Sequence, residues 1–189
     1  MYTCMVDTPI GAMLAAAGNP EEGCSGGEIN LFAASTNSGP MDTRRMAAGL
    51  CGLWFIGQKY FPSHTEAWEE APDQSVFLLL KAWLMDYFSG KKPLTAVPLT
   101  PAGTDFQRAV WKLLVDIPCG ETSSYGAIAA RLAETGRKAS AQAVGGAVGH
   151  NPISILIPCH RVVGADGSLT GYAGGLDRKR ALLELEKAL

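Results

Sequence analysis

The chain has 189 residues, of which 47% are hydrophobic and 18% are charged, and its net charge is −2. This composition predicts a folded core and excludes a disordered chain. No apolar run reaches the roughly 18 residues that a membrane span requires, and the net charge by itself does not indicate a nucleic-acid-binding protein.

The two halves of the chain differ in charge. Residues 1–100 carry 6 basic and 10 acidic side chains, whereas residues 101–189 carry 10 basic and 8 acidic ones. The sign of this difference suits a second half that meets phosphate groups. Ordinary surface variation explains so small a difference equally well.

The first half predicts an α/β domain over residues 1–92, with a small antiparallel sheet and one helix. Residues 2–17 have the pattern of a hairpin, and residues 50–55 that of a buried strand. Apolar residues at helical spacing predict a helix over 75–89. Glycine and proline punctuate residues 18–48, which predicts a long insertion with a short strand at 28–32 as an alternative.

The second half predicts a linker over 93–101 and a mostly α domain over 102–189. Thr104 and Gln107 have the spacing of a capping box. Four helices are expected, from Thr104 towards Ile117, over Tyr125–Leu132, over Ser140–Gly149 and over Asp177–Lys187. Gly136 separates the second from the third, which indicates a helix-turn-helix of winged-helix-like type.

A cysteine and a histidine are adjacent at Cys159 and His160, after the apolar run 153–157 and after Pro158. Proline prevents the next residue from simply continuing a sheet ladder. A buried cysteine is most often a small, inert hydrophobe. The neighbouring proline and Arg161, the glycine-rich stretch that follows and the helix-turn-helix that precedes favour a functional pair instead.

The motif Pro-Cys-His-Arg-Val at 158–162 resembles that of the O6-alkylguanine-DNA alkyltransferase family. Asn151-Pro152 before it and Gly174-Gly175-Leu176 after it match as well, and the resemblance extends from Thr104 to Glu186. It implies DNA repair by direct transfer of an alkyl group from O6-alkylguanine to Cys159, with O4-alkylthymine as a further candidate substrate. It also implies base flipping and a single turnover, because a thioether has no labile bond.

The resemblance implies a relay from Cys159 through a water to His160 and then to a glutamate. The family spacing selects Glu186, which leaves Glu184 as a solvated surface charge. Because neighbouring side chains of a strand face opposite sides, a contact between the cysteine and the histidine requires a turn or the bridging water. Arg161 is expected to be structural and to pair with a carboxylate.

Asn151 and Tyr125 complete the catalytic set that the resemblance implies. Asn151 would link the recognition helix to the active-site loop, although turn preference alone also explains an asparagine there. Tyr125 would rotate the target phosphate, and its alternative is a core aromatic at the start of a helix. The resemblance places five residues around the base pocket: Val162, Tyr172, Ala173, Gly174 and Lys179.

The helix over 140–149 is implied to enter the minor groove. The family has an arginine there that fills the gap left by the flipped base, whereas this chain has Gln142. Glutamine still hydrogen-bonds an orphaned base but carries no charge. Arg137 and Lys138 are expected to grip phosphates. Further DNA contacts are assigned to Ser140, Ala143 and Gly146.

No cofactor and no metal are expected. Cys4, Cys24, Cys51 and His64 lack the spacing of a zinc site. The five cysteines include no CxxC pair, and the N-terminus lacks a signal-peptide pattern, so we expect a reduced, cytoplasmic protein. DNA is the expected partner of a protein that acts as a monomer and does not bind membranes.

Two other functions remain open. A lesion-binding protein without enzymatic activity would keep this fold but would lack the nucleophile, and Cys159 is present. A Cys-His hydrolase unrelated to DNA would need an oxyanion hole, and it would leave the helix-turn-helix without a role.

Overall fold

The computed structural model describes residues 1–18 and 49–189. These residues form two compact units. Of the described residues, the first unit contains 1–18, 49–53 and 63–102, and the second contains 54–62 and 103–189. The second unit therefore includes a short segment that lies, in sequence, inside the first. The predicted insertion at 18–48, and the strand considered at 28–32, lie outside the described residues except for Gly18.

The larger sheet is mixed and belongs to the first unit except for Trp54 and Phe55, the last two residues of its third strand. Its strands are β1 (Tyr2–Val6), β2 (Met13–Ala17), β3 (Leu50–Phe55) and β4 (Glu69–Glu70), in the order β3-β2-β1-β4. The β1–β2 pair is the predicted antiparallel hairpin, with Cys4 opposite Ala15. β4 pairs with β1 in parallel, so the small sheet that was expected to be antiparallel is mixed. A two-residue strand has no hydrophobic period that would reveal it in the sequence.

One long helix, α1 (Ser75–Phe88), completes the first unit. It confirms the helix predicted over 75–89 to within one residue. The apolar spacing explains the helix, since its buried side chains recur three and four residues apart: Val76, Phe77, Leu80, Leu84 and Tyr87. Among the described residues, no helix is both long and apolar enough to cross a membrane.

The second unit contains the four predicted helices. They are α2 (Asp105–Val115), α3 (Tyr125–Glu134), α4 (Ala141–Gly149) and α5 (Leu176–Leu185). The predicted capping box is confirmed, because the Thr104 hydroxyl accepts from the Gln107 amide and the Gln107 side chain accepts from the Thr104 amide. α5 begins one residue earlier than predicted and ends two residues earlier, with Glu186 as its C-cap.

Hydroxyl caps and one glycine fix the geometry of α3 and α4. Ser124 accepts from the Ala127 amide, and Ser140 accepts from the Ala143 amide, each at 3.1 Å. Gly136, with φ of 81°, allows the turn between the two helices. The indole of Trp111 on α2 donates to the Ala147 carbonyl of α4 at 2.9 Å. This hydrogen bond fixes α4 against the helix behind it.

The apolar run 153–157 forms a buried turn instead of a strand. Ile155 has φ of 69°, a left-handed conformation that is rare for a β-branched residue. Beyond the turn, β6 (Val162–Val163) pairs in parallel with β5 (Ser123–Ser124). The turn and this small sheet hold the segment between them, which contains the cysteine motif.

Candidate active site

Cys159, His160 and Arg161 form a single 3-10 turn directly after Pro158. The Cys159 amide donates to the Ile157 carbonyl at 2.7 Å. Cys159 is 4% exposed and His160 is fully buried. The turn provides the bend that a functional Cys-His pair requires, because the two side chains do not alternate across a strand.

Asn151 connects α4 to the cysteine. Its backbone amide donates to the carbonyl of Val148 on α4 at 3.2 Å. Its side-chain Nδ2 lies 3.1 Å from the sulfur of Cys159 and 2.8 Å from the Ile157 carbonyl, and its Oδ1 accepts from the Ile153 amide at 3.0 Å. The buried amide therefore holds both ends of the turn and donates to the sulfur.

Glu186 accepts hydrogen bonds from two basic side chains behind the cysteine. His160 Nε2 lies 2.9 Å from Glu186 Oε1. Arg161 donates to the same oxygen through Nη2 at 2.9 Å and to Oε2 through Nε at 2.8 Å. The third guanidinium nitrogen of Arg161, Nη1, donates to the Ile117 carbonyl just after α2. The carboxylate is thus fixed in a bidentate pair.

These contacts determine the tautomer of His160. Burial alone would raise the pKa of Glu186, but the hydrogen bonds from His160 and Arg161 outweigh it and lower that pKa to about 2. The carboxylate is therefore ionised and only accepts, so His160 Nε2 carries hydrogen. Burial lowers the pKa of His160, and its Nδ1 is buried with no hydrogen-bond partner among the described residues. Neutral His160 thus presents a free lone pair on Nδ1.

Cys159 is a thiol rather than a thiolate in the resting protein. Burial raises its pKa, although the hydrogen bond from Asn151 and the charge of Lys179 act in the opposite direction. A buried thiol requires a base when it reacts. His160, the next residue, is neutral and can accept the thiol proton on Nδ1.

Lys179 and Tyr125 both donate to the Thr170 carbonyl, at 2.7 Å and 3.1 Å. Lys179 is buried and donates to the Val162 carbonyl as well. Burial lowers its pKa to about 8, so the ammonium remains mostly charged at neutral pH and favours negative charge on Cys159. Burial raises the pKa of Tyr125, which remains a neutral donor.

The glycine-rich loop after Thr170 packs against the segment 54–62. A Cβ added to Gly174 would lie 2.7 Å from the Tyr172 ring and 2.9 Å from the Phe55 ring. The Arg178 guanidinium lies 4.6 Å from the centre of the Phe55 ring and donates to the Gly174 carbonyl at 2.9 Å. The loop therefore has space only for glycine at this position.

Sequence reasoning missed the contribution of the segment 54–62. The Lys59 amide donates to the Ala173 carbonyl at 3.0 Å. The buried Gln58 side chain accepts from the Phe55 amide at 2.9 Å and closes the turn that presents Lys59. These residues stand about 100 positions before the motif, so no local pattern links them to it. Only the Gly57 turn after an aromatic strand marks the segment in the sequence.

The residues assigned to DNA contact form a separate exposed surface. α4 buries Val144, Ala147 and Val148. Its opposite face, together with the turn before it, exposes the assigned side chains: Arg137, Lys138, Ser140, Gln142, Ala143 and Gly146. This face is smooth and has no charge of its own, and both cations lie ahead of the helix.

No cluster of metal-binding side chains occurs within residues 1–18 and 49–189. Cys4, Cys51 and His64 are therefore not part of such a group there. Cys24, the remaining candidate ligand, lies outside those ranges.

Comparison with known proteins gives consistent matches. Residues 105–188 match the family model described as the DNA-binding domain of 6-O-methylguanine DNA methyltransferase. A methylated-DNA–protein-cysteine methyltransferase of Mycobacterium tuberculosis is 49% identical over 150 residues, covering 79% of this chain and 87% of the relative. One from Methanosarcina mazei is 47% identical over 139 residues, covering 74% and 85%. The crystal structure of M. tuberculosis OGT in complex with DNA superposes with a TM-score of 0.76 at 39% identity, covering 100% of this chain and 94% of that one. With the cysteine site described above, these similarities show that the chain belongs to the methylated-DNA–protein-cysteine methyltransferase family.

Proposed function

We propose that this protein repairs DNA by moving an alkyl group from the O6 atom of guanine to the sulfur of Cys159, and that each molecule acts once. The observation that carries the proposal is the buried arrangement of Cys159, Asn151, His160 and Glu186. It provides a thiol, a donor to the sulfur, a neutral imidazole with a free Nδ1 and an ionised carboxylate that fixes the tautomer.

The chemistry is a displacement at the alkyl carbon. The Cys159 proton passes through a water to His160 Nδ1, and the sulfur then forms a bond to that carbon. The bond between the carbon and O6 breaks, and its electron pair remains on guanine, which finally takes one proton on a ring nitrogen. Glu186 stabilises the imidazolium formed on the way, and the reaction needs no cofactor because sulfur supplies the electron pair.

The substrate base has to leave the helix stack, because a buried sulfur cannot reach it inside a duplex. We assign the minor-groove contact to α4, with Gln142 entering the gap left by the base. Tyr125 would guide the target phosphate, and the loop over Tyr172–Gly174 with Val162 and Lys179 would enclose the base. Arg137 and Lys138 would bind phosphates ahead of α4, supported by their exposure.

Several coarser features belong to the same proposal. Residues 93–101 would link an N-terminal domain to the catalytic domain at 102–189, and α3 with α4 would act as a winged-helix-like helix-turn-helix. The packing of α2, α3 and α4 against one another, with the Trp111 indole of α2 hydrogen-bonded to α4, supports this. We propose a monomer that works in the cytoplasm, on O6-alkylguanine first and on O4-alkylthymine second.

The test is the mass of the intact protein after incubation with an oligonucleotide that contains O6-methylguanine. We expect one added methyl group, on the peptide that contains Cys159. Cys159→Ser should bind the oligonucleotide but gain no methyl, because a hydroxyl gives no comparable nucleophilic anion near neutral pH. Cys119→Ser, which changes the exposed cysteine in the turn after α2, is the matched control. Methylation that survives in Cys159→Ser would identify another acceptor, and binding without transfer in the wild type would favour a lesion-binding protein.

A further inference from the structure

The segment 54–62 ends in an exposed cluster next to the C-terminus of α4. The Tyr60 ring stacks on the His150 ring, with centroids 4.0 Å apart and an angle of 28° between the planes. The ammonium of Lys59 lies 4.8 Å from the centre of the Tyr60 ring on the same segment. All three side chains are exposed. We name these residues, Lys59, Tyr60 and His150, the 59/60/150 cluster.

The cluster continues the face of α4 that carries the assigned DNA contacts. Gln142, Gly146 and His150 are spaced by four residues and are all exposed, so they follow one row along the helix. His150 Nδ1 lies 2.8 Å from the Gly146 carbonyl. Because a carbonyl only accepts, Nδ1 carries the hydrogen and the ring is held at the end of that row.

The backbone conformation and the neighbouring contacts hold Tyr60 in place. Its φ of 61° is a left-handed conformation that non-glycine residues adopt only where their surroundings hold them. On one side of it, the Lys59 amide is bound to the Ala173 carbonyl at 3.0 Å. On the other side, the His150 ring covers it. The backbone thus directs an aromatic ring and an ammonium towards the same exposed surface.

Lys59 has the charge that this end of α4 otherwise lacks. Arg137 and Lys138 precede the helix, whereas the exposed face of α4 has no cation. Within the described residues, no carboxylate pairs with Lys59. Nine helical residues span about 14 Å, so cations lie near both ends of a helix of that length. When a helix crosses the minor groove, its two ends approach the two phosphate chains that border the groove.

We propose that the 59/60/150 cluster is a second phosphate-binding element, which holds the DNA strand at the C-terminal end of α4 while Arg137 and Lys138 hold the other strand. Lys59 makes the contact, and the Tyr60–His150 stack keeps its ammonium in place. This inference rests on the proposed function, since it assumes that α4 meets duplex DNA.

The experiment measures equilibrium binding of a fluorescent duplex by anisotropy between ~50 and ~200 mM salt, as expected for counterion release. Lys59→Ala should weaken binding about fivefold near 0.1 M salt and reduce the slope of log K against log salt by about 0.9. Lys59→Arg should retain the slope. Tyr60→Leu should weaken binding while leaving the slope nearly unchanged, because it removes the support and not the charge. Lys92→Ala, an exposed lysine of the first unit, is the matched control for loss of one charge.

The rate of reaction with the free base O6-benzylguanine separates DNA contact from damage to the pocket. Parallel losses of this rate and of duplex binding in Lys59→Ala would overturn the inference, as would equal effects of Lys59→Ala and Lys92→Ala. An unchanged affinity and slope in Lys59→Ala would overturn it as well. If the wild type accepts no alkyl group from the O6-methylguanine oligonucleotide or from O6-benzylguanine, the proposed function fails. If the wild type is alkylated and Lys59→Ala binds duplex DNA normally, only this inference fails.

Discussion

Glu186→Gln removes the charge that organises His160 and Arg161, and two measurements can detect the loss. The pKa of Glu186 falls from an ordinary 4.5 to about 2 in the folded protein. That difference corresponds to about 3 kcal/mol of free energy of unfolding. Because the folded-state pKa is the lower one, the stabilisation is fully present above pH 4.5 and is lost as the pH falls towards 2. Urea unfolding should therefore show a difference between wild type and variant of about 3 kcal/mol at pH 7, shrinking by roughly half at pH 3.

The same substitution should slow alkyl transfer about 10²- to 10⁴-fold, the range for loss of an oriented general base. In Glu186→Gln an NH2 group replaces one carboxylate oxygen. Both oxygens accept hydrogen bonds in the wild type, so the NH2 group would face the hydrogen of a donor in either position. The clash is relieved if the amide donates to His160 Nε2. The imidazole hydrogen then moves to Nδ1, and Nδ1 can no longer accept the Cys159 proton. The assay is the rate with O6-benzylguanine, and the control is Glu184→Gln, an exposed glutamate two residues earlier. Equal effects of the two substitutions, or normal transfer by Glu186→Gln, would refute the relay.

Two further predictions concern the DNA surface and the base pocket. Gln142→Arg should strengthen duplex binding and steepen its salt dependence by up to about one counterion, whereas Gln142→Ala should slow repair of duplex DNA more than repair of a single strand. Rates on duplex, single strand and free base, measured side by side, test this, and equal slowing on all three would remove the gap-filling role. Gly174→Ala should slow reaction with O6-benzylguanine, because its Cβ would lie 2.7 Å from Tyr172 and 2.9 Å from Phe55. Gly149→Ala, whose Cβ meets nothing within 4 Å, should leave that rate unchanged, and a loop that tolerates alanine at 174 would show that the pocket is not tight there.

The sequence predicted those parts of the fold that local chemistry determines. The capping box depends on Thr104 and Gln107, which are three positions apart, and the structure confirms both the box and the helix that follows it. The parallel strand β4 was missed because two exposed glutamates carry no β pattern. The left-handed Ile155 was also missed, since propensity argues against it and only the surrounding turn enforces it.

The candidate site shows the same division. Family spacing pointed to Glu186 over Glu184, and the structure places Glu186 within hydrogen-bond distance of His160. The catalytic roles of these residues and the domain boundaries remain predictions. Phe55 and Gln58 were not recognised because their partners, Gly174 and Ser154, are about 100 residues away in sequence. A contact between residues so far apart produces no hydrophobic periodicity and no capping motif in the sequence, so it cannot be predicted from local patterns.

The discontinuous second unit has a consequence for fragments of this protein. A fragment that starts at residue 103 contains the cysteine motif and every residue matched by the family model, yet it lacks residues 54–62. Without them the Ala173 carbonyl loses its amide partner, and the Gly174 loop and Arg178 lose the Phe55 ring. The boundary of the family-model match is therefore not the boundary of the compact unit. A fragment designed to contain only the catalytic half should also include residues 54–62, joined to residue 103 by a linker that replaces the excised residues.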